Sequence, residues 1–466
     1  MLFSSATFLF MFLPAVILGY YVCPHKFRNI FLLIGSIVFY AWGEPKYLLV
    51  MFITILLNYI GALLIARSTE YKKLYLAATV ISNLGFLFYF KYLNFVIENL
   101  NLLFNSHLAI AEIILPLGIS FYTFQALSYT IDVYYQHVQP QRNLLKLALY
   151  ICLFPQLIAG PIVKYHDIED QIDHRQETFE SFYYGLRRFI IGLAKKLIIA
   201  NTVGAVADKI FALPVAEYDT LTAWLGSIAY GLQLYYDFSG YSDMAIGLGA
   251  MFGFKFMENF NYPFISKSVS EYWRRWHISL GTWFKDYLYI PLGGNRGGTW
   301  HKYLNIMIVF ACVGTWHGAT WAFVFSGLYN GAMIVFENII GMPKAQYGII
   351  GKILQRIYAF IAMLIGLIFF RSETLSYTGN LILNMMGLIE HQNIIYKTSY
   401  YFDATAITVM CVAILCATPL FKNILNVDRK HTAVNTMINL WLLVLFGISC
   451  IELAANTYNP FIYFRF

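Results

Sequence analysis

Three groups of side chains in this sequence could do chemistry in an apolar setting. His317 lies near the middle of YLNIMIVFACVGTWHGATWAFVFSGLYNGAMIVFENIIG, which runs from Tyr303 to Gly341, and is flanked by Trp316 and Gly318. Imidazole takes up and releases protons near neutral pH, so such a ring is suited to general-base work on a hydroxyl. His277 sits between Trp276 and Ile278 in SVSEYWRRWHISLGTWFKDYLYIPLGGNRGGTWHK, the least ordinary stretch of the chain. The third group is Gln233, Asp237, Ser239, Ser242 and Asp243 within TAWLGSIAYGLQLYYDFSGYSDMAIGLGAMFGF. A charge at the centre of a membrane helix costs about 2.5–3.5 kcal/mol on insertion scales. The two carboxylates are therefore expected to face the protein interior or a cavity and to pair with a base, with Arg274 and Arg275 available. A structural ion pair and a substrate contact both fit them.

The elements that must position these residues are membrane helices. With 59% hydrophobic and only 12% charged residues in 466, the average segment is too apolar for a soluble domain. The expected fold class is all-α: a polytopic membrane protein with about 11–13 membrane segments, some broken or re-entrant, around a central cavity. The run containing His317 is too long for one span, and Gly314 and Gly318 flank the expected break. Counted from His301 and Lys302, His317 lies roughly 15 residues in, about 22 Å along a helix, which puts the break inside the hydrocarbon. Broken backbone at that depth survives where protein buries it or a cavity meets it, so His317 is expected to face a cavity. The net charge of +7 sits in short loops and reads as positive-inside bias rather than a nucleic-acid footprint. Six cysteines lie scattered without metal-ligand spacing and read as small core residues.

Along the chain, apolar runs near 5–23, 30–42, 47–66 and 74–90 are joined by short loops whose charges put the amino terminus outside. The first run has no basic n-region or cleavage site and reads as a retained helix. From Lys91 to Ile110 a helical polar period suggests a helix lying in the outer interface. Pro155, Gly160 and Pro161 make LALYICLFPQLIAGPIVKY a bent or re-entrant segment. In LRRFIIGLAKKLIIAN, Arg187 and Arg188 recur a helical face later as Lys195 and Lys196, a basic stripe suited to lipid headgroups or to an anionic acyl donor. Trp, Tyr, Arg and Lys around His277 predict one or two short helices tucked at the inner face, followed by a tight turn at PLGGNRGG, which lacks the ending of a phosphate loop. Spans near 352–370, 404–420 and 433–455 follow, and the aromatic tail PFIYFRF is expected outside, anchored among headgroups.

At YWRRWHISLGTWFKDYLYIPLGGNR, GTWHGATWAFVFSGLYNG and FFRSETLSYTGNLI the sequence resembles the membrane-bound O-acyltransferase (MBOAT) family, in its bacterial alginate- and peptidoglycan-acetylating branch. PLGISFYTFQALSY, LFPQLIAGPIVKY, YYDFSGYSDMAIGLGAMFGF and FIYFRF match the same pattern in order, so the likeness extends over nearly the whole chain. The resemblance implies movement of an acyl group, acetyl first, from a cytoplasmic thioester through the membrane towards an extracytoplasmic polysaccharide such as alginate or peptidoglycan. It implies His317 as the essential histidine and His277 as a second functional one. Related teichoic-acid D-alanylating systems suggest that a tyrosine in a carboxyl-terminal F-x-Y-F motif carries the acyl group, a role that would fall to Tyr463.

The resulting expectations are specific. His317, His277 and Tyr463 are catalytic candidates, and Trp316, Gln233, Asp237, Trp273, Arg274, Asn295 and Arg296 are substrate-binding candidates. Neither a metal nor a bound cofactor is expected; the acyl thioester, acetyl-CoA or an acyl carrier protein, is a substrate. The expected partners are membrane lipid, the acyl donor and an exported or periplasmic acetyltransferase, with no nucleic acid. The setting is the bacterial cytoplasmic (inner) membrane, and the chain is taken as a single domain: 1–110 as amino-terminal helices, 111–345 as catalytic core, 346–466 as carboxyl-terminal helices and tail. The competing readings are D-alanyl transfer to teichoic acid, a non-catalytic transporter of an acyl donor or lipid-linked sugar, and a scaffold recruiting a soluble enzyme.

Overall fold

The computed structural model describes residues 1–466 apart from 343–347, 373, 392–393, 395, 426–431, 456–457 and 463–466. Every regular element among the described residues is a helix, and six stretches are long and apolar enough to cross a membrane. These are Pro45–Arg67, Lys72–Phe104, Phe179–Phe211, Trp321–Ile339, Ile349–Arg371 and Ala433–Ala455; Phe8–Val22 and Ala404–Cys416 are shorter apolar helices. The fold is that of an all-α, multi-pass membrane protein. Packing divides the chain into two units, Met1–Phe189 with Ser242–Met257, and Ile190–Tyr241 with Glu258–Phe466.

The first unit contains α1 (Leu13–Val22), α2 (Arg28–Ala41), α3 (Leu48–Arg67), α4 (Lys72–Leu87), α5 (Leu93–Phe104), α6 (Ile119–Tyr134), α7 (Leu144–Cys152), α8 (Phe154–Leu157), α9 (Tyr165–His174) and most of α10 (Phe179–Ala194). Where apolar packing is matched by lipid, buried polar side chains join helices. Asn58 of α3 donates to Asn83 of α4 (2.9 Å), and Thr130 of α6 donates to Asn58 (2.7 Å). The bent segment is present as expected: α7 stops at Cys152, Leu153 leaves helical geometry, Pro155 sits in the first turn of α8, and the chain from Leu147 to Tyr165 is buried.

Two expectations need correction. The stretch from Lys91 is not a separate surface helix. It continues α4 through a π-turn at Phe88–Tyr92 into α5, ending at Asn105 with φ +48°. Two of its asparagines are satisfied locally, Asn99 donating to the Phe95 carbonyl and Asn94 to that of Ala111. The cysteines are also not uniformly core. Cys152 is buried, but Cys312 and Cys411 are exposed on apolar helices, because a lipid-facing surface accepts a small apolar residue as readily as a core does.

The second unit takes up the end of α10, a π-turn at Lys195–Ala200, α11 (Asn201–Phe211) and α12 (Thr220–Met251) as far as Tyr241. It continues with α13 (Val269–Trp273), α14 (Ile278–Phe284), α15 (Gly298–His317), α16 (Trp321–Ile339), α17 (Ile349–Arg371), α18 (Leu375–Met385), α19 (Thr398–Tyr401), α20 (Ala404–Cys416) and α21 (Thr432–Ala455). The two short helices expected around His277 are α13 and α14, and PLGGNRGG is a turn, with Gly293 and Gly294 at φ +100° and +56°. α15 and α16 form a hairpin whose backbones meet at glycines. A Cβ on Gly314 would lie 2.3 Å from the Phe323 carbonyl oxygen, and one on Gly327 would lie 2.2 Å from that of Phe310. No other residue type permits that approach.

Candidate active site

His317 is the last residue of α15. Gly318 is extended (φ −165°, ψ 156°), and α16 begins at Trp321, so the helix breaks immediately after the histidine. The polar pair His301 and Lys302 lies inside α15, which starts at Gly298. His317 is its twentieth residue, and the unbroken helix keeps it about 22 Å along the axis from that polar pair, as expected. The ring is 2% exposed, where the sequence suggested an opening to a cavity. Aromatic neighbours surround it: Phe370 of α17 at 4.9 Å between ring centroids, Trp316 at 5.0 Å and His277 at 6.3 Å.

His277 occupies the junction between α13 and α14 with φ +45° and ψ +52°. A side chain-bearing residue in this left-handed region costs of order 1–3 kcal/mol, so surrounding contacts must hold it. They come largely from Asn259. Its backbone carbonyl accepts from the Ile278 N–H (3.0 Å), and its Oδ1 accepts from the Ser279 N–H (3.1 Å) and Ser279 Oγ (2.9 Å). His277 Nδ1 lies 3.2 Å from the same Oδ1. The ring is fully buried, edge-on to Phe238 of α12 at 4.6 Å and 5.9 Å from Trp316. His277, Trp316 and His317 are thus brought together from two distant parts of the sequence.

Asp237, the residue before Phe238, is 1% exposed. Its partner is not an arginine near His277 but Lys196, at 2.7 Å, with that side chain only 3% exposed. The helices carrying the pair can approach because Gly240 has no side chain: a Cβ there would lie 2.7 Å from the Gly192 carbonyl oxygen. Within the first unit Arg188 pairs with Asp243 in the same way, at 2.7 Å, and Arg187 is 2% exposed. Most of the basic stripe is therefore buried rather than lying on headgroups. Arg275 is taken by Glu271, one helical turn earlier (2.9 Å), and Arg274 is exposed.

The same ion pair holds the carboxyl-terminal tail. Asp237 Oδ2 accepts from the Ile462 N–H (2.8 Å), and Lys196 Nζ donates to the Pro460 carbonyl. Asn201 donates to the Tyr458 carbonyl (3.2 Å), the Tyr458 hydroxyl donates to Asp208 (2.6 Å), and Phe461 packs on Tyr241 at 4.8 Å. With Phe461 and Ile462 at 5% and 4% exposure, this part of the tail is inserted among helices, not spread on a surface, because those helices supply donors and acceptors for its backbone. Tyr463 lies outside the described residues.

The remaining candidates are more dispersed. Gln233, 4% exposed, is one turn before Asp237 and fills the space over Gly204, where a Cβ would lie 2.4 Å from its Nε2. Trp273 donates to Asn330 of α16 (3.1 Å). Asn295 and Arg296 are exposed in the turn, Asn295 accepting from the Tyr289 hydroxyl at 2.6 Å. Among the described residues no group of three or more His, Cys, Asp or Glu is placed to hold a metal ion. Sequence reasoning missed Asn259, Ser279, Phe238 and Phe370 as neighbours of the histidines. One pairing did leave a signal: Arg188 and Lys196 on one helical run answer Asp243 and Asp237 on another, in reverse order.

Comparison with known proteins adds an independent line. Residues 42–379 match the model of MBOAT, the membrane-bound O-acyltransferase family. The chain is 38% identical to a probable alginate O-acetylase of Azotobacter vinelandii over 503 aligned residues, covering 100% of both chains. It is 34% identical to a peptidoglycan O-acetyltransferase of Helicobacter pylori, covering 91% of this chain and 87% of that one. A teichoic acid D-alanyltransferase of Bacillus subtilis is 29% identical over 50% of this chain and 61% of its own length.

Proposed function

This chain belongs to the membrane-bound O-acyltransferase family and is a multi-pass membrane O-acyltransferase, and from that premise we propose that it moves an acetyl group from a cytoplasmic thioester to an extracytoplasmic polysaccharide. The observation that carries the reading is the convergence of His317, His277 and Trp316, with Phe238 linking them to the ion pair that grips the tail. The relatives named for alginate and peptidoglycan acetylation cover nearly all of both chains, whereas the D-alanyltransferase aligns over half of this one, which favours acetyl over D-alanyl.

A thioester is already activated, so the enzyme needs mainly to deprotonate and orient a hydroxyl. In the proposed step His317 takes the hydroxyl proton as the oxygen attacks the thioester carbonyl. The C–O bond forms, the C–S bond breaks, and the proton passes from the imidazolium to the departing thiolate. Because the His317 ring is 2% exposed, donor and acceptor must reach it by parting Phe370, Trp316 or His277. Tyr463 is the proposed first acceptor: it directly follows Ile462, whose amide is held by Asp237. The proposed setting is the bacterial inner membrane, with an exported acetyltransferase taking the acyl group onward, and with acetyl-CoA or an acyl carrier protein as donor.

The test is transfer of radiolabelled acetyl from each donor to purified protein in nanodiscs. General-base loss typically costs roughly 10²- to 10⁴-fold, so His317→Ala should lose covalent labelling by that factor while keeping its elution profile. Tyr463→Phe, which removes one oxygen, should abolish the stable label. Wild-type labelling by His317→Ala would exclude the assigned base, and full labelling of Tyr463→Phe would remove the tail as carrier.

A further inference from the structure

We propose that Asn259 is a positioning residue of this site, fixing His277 as the Nδ1–H tautomer so that Nε2 is the ring's acceptor atom; this rests on the acyl-transfer reading above. The argument turns on what Asn259 Oδ1 can do. An amide's oxygen and nitrogen are interchangeable by shape, but the Ser279 backbone N–H, which can only donate, points at this atom from 3.1 Å. That contact identifies it as the oxygen. Ser279 Oγ also lies 3.4 Å from His277 Nδ1, but its single proton goes to the nearer Asn259 Oδ1 at 2.9 Å, so Nδ1 faces two oxygens with no proton to give it, and the proton belongs on Nδ1.

The backbone supports the same assignment. His277 is one of four non-glycine residues with positive φ among the described residues, and the Ile278 N–H to Asn259 carbonyl bond pins the turn from the other side. Asn259 and Ser279 are both fully buried, so water does not compete for the acceptor. A residue that only capped the turn would need the two backbone bonds; the side chain's additional approach to the imidazole sets the ring's proton. The role left to His277 is then narrowed. In its neutral form it accepts a hydrogen bond or a proton through Nε2 and cannot donate from that atom to a thioester carbonyl.

Two measurements test this. In protein carrying ¹⁵N-histidine in bilayers, the His277 signals, identified by their loss in His277→Gln, should show a protonated Nδ1 and a bare Nε2; a proton on Nε2 overturns the proposal whether or not transfer is observed. Kinetically, Asn259→Asp keeps an acceptor for both Ser279 donors but sets a negative charge beside the imidazole. The titratable ring facing His277 is His317 at 6.3 Å, while Phe238 and Trp316 are uncharged. A nearby carboxylate raises such a pKa by about 1–3 units, so the acid limb of kcat/KM should move up by that amount. Asn259→Leu, which removes the acceptor, should lower kcat by roughly tenfold or more, as expected when a ring loses its tautomer. An unmoved acid limb together with wild-type turnover in both variants sinks the idea. Wild-type protein that transfers no label would instead sink the acyl-transfer reading and leave the tautomer result standing.

Discussion

Lys196 and Asp237 show how a charge can be kept inside an apolar protein. Each is almost fully enclosed, and each does more than neutralise the other: Asp237 also accepts from Ile462, and Lys196 donates to Pro460. Removing one partner of a buried pair typically costs about 3–5 kcal/mol, because the remaining charge is left uncompensated. Lys196→Met should therefore lower the thermal midpoint in detergent sharply. Lys196→Met combined with Asp237→Leu should recover much of that stability, since apolar replacement of a whole pair is often neutral or better. The double variant nevertheless lacks both contacts to the tail, so carboxypeptidase should trim it faster than wild type. Recovered stability with an unchanged trimming rate would show that the pair does not hold the tail. At this scale the histidines were legible because an ionisable ring in an apolar run has few explanations. The partner of Asp237 was misread because Arg275 is satisfied one turn away by Glu271, a local contact that wins over a distant one.

Elements place these residues through backbone approach more than through side-chain shape. The α15–α16 hairpin fixes the height of His317, and its seam is Gly314 against Gly327, where an added Cβ would meet the opposite carbonyl at 2.2–2.3 Å. Carbonyl oxygens in helices cannot step aside as a flexible side chain can, so a larger residue must separate the two axes. Gly327→Leu should cost about 1–3 kcal/mol in stability as overpacking does. Its larger effect should be on transfer, because His317 sits three residues beyond Gly314 at the end of the displaced helix. Acyl-transfer kcat should fall by an order of magnitude or more while Gly379→Ala, whose Cβ meets nothing within 4 Å, stays near wild type. Equal activity of the two variants would separate the seam from the site. The break at Gly318 was readable from the sequence because glycines interrupt an overlong apolar run. Asn259 was not readable, since its approach to His277 depends on a left-handed turn at a histidine, a conformation no periodic pattern announces.

Across the molecule many large hydrophobic side chains are exposed, which limits what hydrophobic patterning can say about facing. α21 makes the point: Leu442 and Ser449 are buried, while Met437, Leu440, Leu443 and Ile451 are 58–70% exposed. In a water-soluble protein such a surface would be covered; in lipid it is the solvent-matched face. The all-α membrane class was therefore legible from composition, but about 11–13 segments were expected where six helices among the described residues are long and apolar enough to cross and two more are shorter; the inward side of each helix was not legible, because both sides favour the same residues. This arrangement makes insertion of α21 a precondition for the tail, since the residues from Tyr458 to Ile462 can reach Asn201, Lys196 and Asp237 only from the end of that helix. A lysine near a helix centre costs about 2.5–3.5 kcal/mol on insertion scales, and two on the lipid side should roughly double it. In Leu440→Lys combined with Leu443→Lys, a protease-sensitive tag after Phe466 should shift from the outer to the inner side of the membrane in a substantial fraction of chains, and acyl transfer should fall in the same proportion. Leu440→Ala combined with Leu443→Ala, which keeps the helix and its neutrality, should leave the tag outside. A wild-type tag cut only from the inner side would reverse the orientation of the last helix and, with it, the route by which the tail enters the site.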